Sequence, residues 1–296
     1  MTVRRWRCDL RLDIDSFAIE STRPSGTSPR AASVITRHEK IWVGFVGALA
    51  GAALPALVNA DDFSVRGALE DVKDYYTAPL RWDEEDWLYF GGALAAVGAS
   101  HEFDGRVRQH FEKGPDDGLN GGQDKNSLRD ALPAVGLILG TGLYAGFIRD
   151  RDGYQETWSL LEAGILSTAT GEVLTYAGGR ERPDATTSPN QWRQGGDSFP
   201  SVHTSAAFAI GMVFAESGND EYRWIRRILG YGIAGATGYI RVKDNEHWVS
   251  DSVAGAALGI ATARFVLNRQ GTNSPADLAF QPVKGGWQLS YTVKTH

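Results

Sequence analysis

The sequence predicts an all-α protein, a helical bundle followed by a short C-terminal β-hairpin. Three observations predict it. From residue 61 onward, apolar runs of helical length are separated by Gly, Pro, Asn and Asp turns. Small residues cluster inside those runs (Gly232, Ala234, Gly235 and Ala236; Ala254, Gly255, Ala256 and Ala257), as close helix contact requires. After about residue 270 the pattern becomes alternating around Gly285-Gly286, between Phe280-Gln281-Pro282-Val283 and Trp287-Gln288-Leu289-Ser290-Tyr291-Thr292-Val293, which reads as a hairpin.

The helices are expected at 84–100, 127–149, 154–177, 201–217, 221–240 and 248–268. Residues 131–148 are uncharged but interrupted by Pro133 and glycines, and the other apolar runs fall short of the roughly 20 residues that cross a bilayer. They are read as core helices of a soluble bundle. At 296 residues the chain can bury a core without staples, and its single cysteine, Cys8, excludes an intramolecular disulfide and a cysteine-type zinc cluster. With 30 basic against 36 acidic residues and a net charge of −6, it lacks the basic balance of a nucleic-acid binder.

Charge is unevenly distributed. Residues 1–40 carry eight basic and five acidic groups, and residues 41–60 carry none. Arg37, His38 and Lys40, an apolar stretch and then Val58-Asn59-Ala60 follow the order of a secretory signal. An uncleaved anchor formed by 41–60 and a buried core helix are the alternatives. The resulting division is an extension of disordered or mis-annotated sequence (1–36), a signal or anchor (37–60), a helical domain (61–270) and a tail with the hairpin (271–296). Export to the periplasm is the expected localisation.

The chemistry concentrates between residues 175 and 251. His247 and Asp251 are four apart, so on a helix they would share a face, and the carboxylate could fix the ring's tautomer. Pro200-Ser201-Val202-His203 opens an apolar run, and a helix N-terminus there would offer N–H groups and a positive dipole end to an anion. Arg180 and Arg182 lie in a Gly-rich turn, and arginine's planar fork suits phosphate oxygens. Each segment alone also fits a surface pair, an ordinary helix cap or solvated arginines. His101 and His110 lie in a charged region without recognised ligand spacing and are read as surface residues. No metal site is expected.

Together the segments resemble the type 2 phosphatidic acid phosphatase superfamily, which includes bacterial acid phosphatases and vanadium-dependent haloperoxidases. That pattern has Lys, six residues, Arg-Pro; then Pro-Ser-Gly-His; then Ser-Arg, five residues, His, three residues, Asp. Arg182-Pro183, Pro200-Ser201-x-His203 and Arg241-x5-His247-x3-Asp251 match it in order. The resemblance implies a helical fold and a metal-independent phosphatase without a cofactor. His247 would be the nucleophile that becomes a phosphohistidine, oriented by Asp251, with His203 as acid and then base. Arg182, Arg241, Ser201 and the N–H of Val202 would hold the phosphoryl oxygens. Thr175 stands where the family has lysine, with Arg180 or Lys243 as candidate substitutes, and Val202 replaces the family glycine and adds bulk beside the phosphate. The expected substrate is a phosphomonoester or a lipid phosphate at a membrane surface, with a soluble phosphatase favoured by the low mean hydropathy of −0.27. The alternatives are a weakly active or inactive phosphate-binding protein and a haloperoxidase with vanadate as cofactor rather than inhibitor. The sequence leaves the oligomeric state open.

Overall fold

The computed structural model describes residues 65–112, 127–148, 151–217, 222–269, 276–283 and 286–293. The signal or anchor segment and the residues before it lie outside them. The described helices are α1 (Val65–Thr77), α2 (Glu84–His101), α3 (Asp104–Phe111), α4 (Ser127–Ile148), α5 (Arg151–Gly178), α6 (Val202–Glu216), α7 (Arg223–Lys243) and α8 (Val249–Arg269), with a 3-10 turn at Ala78–Arg81. Strands β1 (Ala276–Val283) and β2 (Gly286–Val293) pair antiparallel, Val283 opposite Gly286, which gives the expected hairpin. The six anticipated helices are present, and α1 and α3 are additional. The eight residues of α3 are mostly polar, DGRVRQHF, and carry too few apolar positions to show a helical period.

Helix α6 is the centre of the bundle and packs against α5, α7 and α8. Ten of its fifteen residues are buried. The core joins Ile138 of α4, Leu160, Leu161 and Leu166 of α5, Ile210 and Val213 of α6, and Val266 and Leu267 of α8. Glycines set the spacing. A Cβ on Gly211 would lie 2.4 Å from the carbonyl oxygen of Gly230, so α6 and α7 cross backbone to backbone. Gly255 and Gly259 of α8 meet the carbonyls of Ser201 and Ser205 in the same way. This contact brings the start of α6 against the first turns of α8, the two places where the second and third motif segments lie.

The expectation that the apolar runs are core helices holds for α6, holds for one face only of α4 and α7, and fails for α2, which has no buried residue. Trp87, Leu88, Phe90 and Leu94 of α2, Leu132, Leu143 and Tyr144 of α4, and Trp224, Ile228, Leu229 and Tyr239 of α7 are exposed. Exposed apolar area on three helices far exceeds the scattered single residues normal for a water-soluble surface. Among the described residues, Val249–Arg269 is long and apolar enough to cross a membrane, by length and composition, and it carries part of the buried core.

Candidate active site

The first segment follows the end of α5. Gly179, at φ 53°, donates its N–H to Thr175 (2.9 Å) and turns the chain out of the helix, the role glycine fills beyond a helix C-terminus. Arg182 then extends to Asp197, which accepts from Nε at 2.6 Å and from NH2 at 2.9 Å. That bidentate grip on one edge of the fork leaves NH1 toward Glu246, 3.9 Å away.

The second segment passes through a cis Phe199-Pro200 bond to Ser201, the N-cap of α6. Ser201 is fully buried, its N–H donates to the carbonyl of Asp251 (3.0 Å), and its hydroxyl is 2.9 Å from that of Thr204. When Thr204 donates, the Ser201 proton is available to a ligand. Val202 and His203 occupy the first turn, whose N–H groups have no acceptor within the helix. The γ-methyl of Val202 meets α5 at Gly171, where an added Cβ would lie 3.2 Å from it. Its added bulk is therefore housed between helices. Thr175 is buried with its hydroxyl 3.4 Å from the carbonyl of Pro200.

The third segment departs from expectation. His247 is not on a helix: α7 ends at Lys243, Asn245 takes φ 55°, and α8 begins at Val249. The carbonyl of Arg241 accepts from Glu246 (3.1 Å) and His247 (3.2 Å), which folds the turn back over the arginine. Asp251, in the first turn of α8, accepts from the N–H of Trp248 (2.9 Å), so it caps the helix from inside. Its carboxylate also accepts from the hydroxyl of Ser198 and from Arg180. The ring of His247 is oriented by another group, the carbonyl of Ser198, 2.7 Å from Nδ1. A carbonyl only accepts, so Nδ1 carries the proton and Nε2 carries the lone pair. Nε2 lies 3.4 Å from NH2 of Arg241. Burial, then the charges of Arg241 and Arg182, hold the imidazole pKa well below its ordinary range. The charge of His203 acts in the same direction.

Arg180 is the second correction. All five of its donors are committed: Nε and NH2 to the carbonyl of Pro189 (2.9 and 2.7 Å), NH1 to Ser250 (2.8 Å) and Asp251, and NH2 to Asp104 (2.8 Å). The guanidinium is flanked by the rings of Trp192 (4.8 Å) and Trp248 (5.3 Å). A fully bonded, fully buried guanidinium cannot also take a phosphate, so Arg180 is a structural counter-ion. Lys243 does not replace the missing lysine either: it is exposed at the end of α7. His101, read as a surface residue, is half-buried, with Nε2 2.9 Å from Asn190 and Nδ1 3.0 Å from Asp104.

Four groups at the site were not anticipated: Ser198, Asp197, Glu246 and Asp104. Ser198 acts on His247 through its carbonyl, which no residue-type pattern shows. Asp197 and Glu246 are acidic neighbours of the motif residues. Glu246 contacts NH2 of Arg241 and so reaches toward both arginines. The turn brings His247, Arg241 and Arg182 to the N-terminus of α6, with Ser201 and His203, while Asp251 stands behind it.

Residues 156–275 match the PAP2 superfamily. Lipid A 1-phosphatase of Porphyromonas gingivalis is 39% identical over 116 residues, covering 36% of this chain and 23% of that protein. A PA-phosphatase related-family protein of Dictyostelium discoideum is 27% identical over 154 residues, 46% of this chain and 56% of that one. The chain thus spans less than a quarter of one of these relatives and just over half of the other. A solved structure, the transmembrane PAP2 type phosphatidylglycerolphosphate phosphatase from Bacillus subtilis, aligns with 78% of this chain and 96% of its own, at 16% identity and a TM-score of 0.34. The segment that matches the PAP2 superfamily contains Thr175, Arg182, Ser201, His203, Arg241, His247 and Asp251.

Proposed function

We propose that the protein is a lipid-phosphate phosphatase that transfers the phosphoryl group to Nε2 of His247 and then to water. The observation that carries this reading is the fixed tautomer of His247: Nδ1 bonded to the Ser198 carbonyl, Nε2 bearing its lone pair beside Arg241. A neutral, buried imidazole needs no deprotonation before attack. As the Nε2–P bond forms, the bond from phosphorus to the leaving oxygen breaks, and His203 protonates that oxygen. His203, now neutral, takes a proton from the water that attacks the phosphohistidine and returns the free histidine with inorganic phosphate. Arg182 through NH1, Arg241, the Ser201 hydroxyl and the first N–H groups of α6 stabilise the charge on the equatorial oxygens. Asp251 supports the ring through Ser198. These steps use side chains and backbone alone, and inhibition by a chelator would contradict them.

Lipid is the substrate class favoured by the exposed apolar faces of α2, α4 and α7 and by the names of the relatives, which reverses the preference for a soluble phosphatase. The test is phosphate release by the full chain in detergent micelles from lipid A, phosphatidic acid, phosphatidylglycerol phosphate and a soluble chromogenic ester. Release that is inhibited by vanadate and abolished in His247→Ala is expected. Release unaffected by that substitution would refute the mechanism. A second reading, phosphate binding with little turnover, draws on Thr175 and on the carboxylates that engage both arginines. Vanadate binding without release would support it.

A further inference from the structure

The first and third motif segments are joined by a carboxylate that lies outside residues 156–275. Helix α3 presents Asp104 and Arg108 one turn apart, and both are buried. Nε of Arg108 donates to the carbonyl of Pro183 at 2.8 Å, next to Arg182. Asp104 accepts from the backbone N–H of Ser250 at 2.9 Å, from its hydroxyl at 2.6 Å and from NH2 of Arg180 at 2.8 Å. A carboxylate with no exposed surface is tolerated only when paired and hydrogen-bonded in this way. The acceptors of Asp104 thereby fix the two groups on which Asp251 depends, its counter-ion Arg180 and the first turn of α8. Asp251 in turn holds the Ser198 hydroxyl, and the Ser198 carbonyl holds Nδ1 of His247.

We propose that Asp104 is a positioning residue for His247, acting through Arg180, Asp251 and Ser198 and never touching the substrate. The proposal rests on the phosphohistidine reading, but its geometric part can be tested separately. Without the Asp104 charge, Arg180 has one carboxylate instead of two, and the first turn of α8 loses an anchor. The Ser198 carbonyl then no longer fixes the ring in one place. Displacement of a reacting group by about 1 Å lowers the rate on the order of 100-fold. Substrate binding, which depends on Arg182, Arg241 and the N-terminus of α6, is left in place.

The test is Asp104→Asn in the full chain, a variant that preserves shape and an acceptor for the Ser250 N–H. The expected result is a fall in kcat of roughly 10–100-fold for the soluble ester with KM changed by less than about twofold. An upfield shift of the His247 Nδ1–H proton resonance should accompany it as that hydrogen bond loosens. Ser250→Ala, which removes one hydroxyl bond and buries no new charge, should give a smaller fall of the same kind and serves if Asp104→Asn does not fold. Unchanged kcat per folded molecule, with only a lower melting temperature, would overturn the proposal. If the wild-type chain releases no phosphate, the activity reading fails and the resonance alone decides: a shift supports the positioning role, and an unmoved resonance overturns it.

Discussion

In the proposed mechanism, Glu246 occupies the donors that an incoming phosphoryl group would take. Its carboxylate contacts NH2 of Arg241 and lies 3.9 Å from NH1 of Arg182, so an anion of the protein's own bridges the two cations assigned to substrate. For a phosphoryl oxygen to take those donors, the Arg241–Glu246 contact must open. One charge-assisted hydrogen bond is worth roughly 1.5–3 kcal/mol, and the displaced carboxylate remains beside the bound anion as a like charge. Glu246→Gln keeps the shape and the hydrogen-bonding reach but removes the charge. At about 1.4 kcal/mol per factor of ten, the lower bound corresponds to about a tenfold gain in affinity and the upper bound to about 150-fold. Glu246 is largely but not wholly buried, at 16% side-chain exposure. Residual screening places the expected gain toward the tenfold end. The assay is the inhibition constant for vanadate against a chromogenic phosphomonoester, paired with calorimetric titration of inorganic phosphate. Both constants should fall together in Glu246→Gln. Equal or weaker binding by a variant with native circular dichroism would show that Glu246 supports the arginines rather than competing for them.

Thr175→Lys should raise kcat/KM for a soluble phosphomonoester at least about tenfold by restoring a cationic ligand; no change or a loss would show that the Pro200 side of the pocket does not admit it. Because the His247 pKa is held well below 6.5, the acid limb of kcat/KM, corrected for substrate ionisation, should lie well below pH 6.5. The sign for stability follows from the same shift. Above pH 6.5 the ring is neutral folded or unfolded, and below it the unfolded chain binds the proton first, so this group lowers stability as pH falls from 6.5 toward the folded value. An acid limb centred at 6.5 would place the nucleophile elsewhere. Gly259→Ala should destabilise the bundle by about 1–3 kcal/mol, seen as a lower melting temperature, since its Cβ would come within 2.3 Å of the Ser205 carbonyl oxygen. An unshifted melting temperature would mean that α6 and α8 are not in backbone contact.

The parts of this site that could be read from the sequence are those that chemistry ties to residue type. Two imidazoles, two arginines and a Pro-Ser at a helix start have few substitutes in phosphoryl chemistry, so their order along the chain carries the likeness, and the fold brings them together at one end of α6. Relations carried by the backbone were not legible in this way. The i, i+4 spacing of His247 and Asp251 suggests a shared helix face, but the positive φ of Asn245 ends α7 and gives His247 to a turn. The hydrogen bond that an Asp side chain was expected to make is made by the carbonyl of Ser198, 49 residues away in sequence. Arg180 shows the same limit in reverse. Two residues from Arg182, in the same turn, it has the same chemistry and the opposite assignment, because Asp104, 76 residues upstream, and Asp251 consume its donors. A guanidinium near a phosphate site therefore says nothing about phosphate until the carboxylates around it are counted. By that count Arg180 is committed to Asp104 and Asp251, whereas Asp197 holds only the Nε and NH2 edge of Arg182, and a rotation of Glu246 would uncover NH1 of Arg182 and NH2 of Arg241.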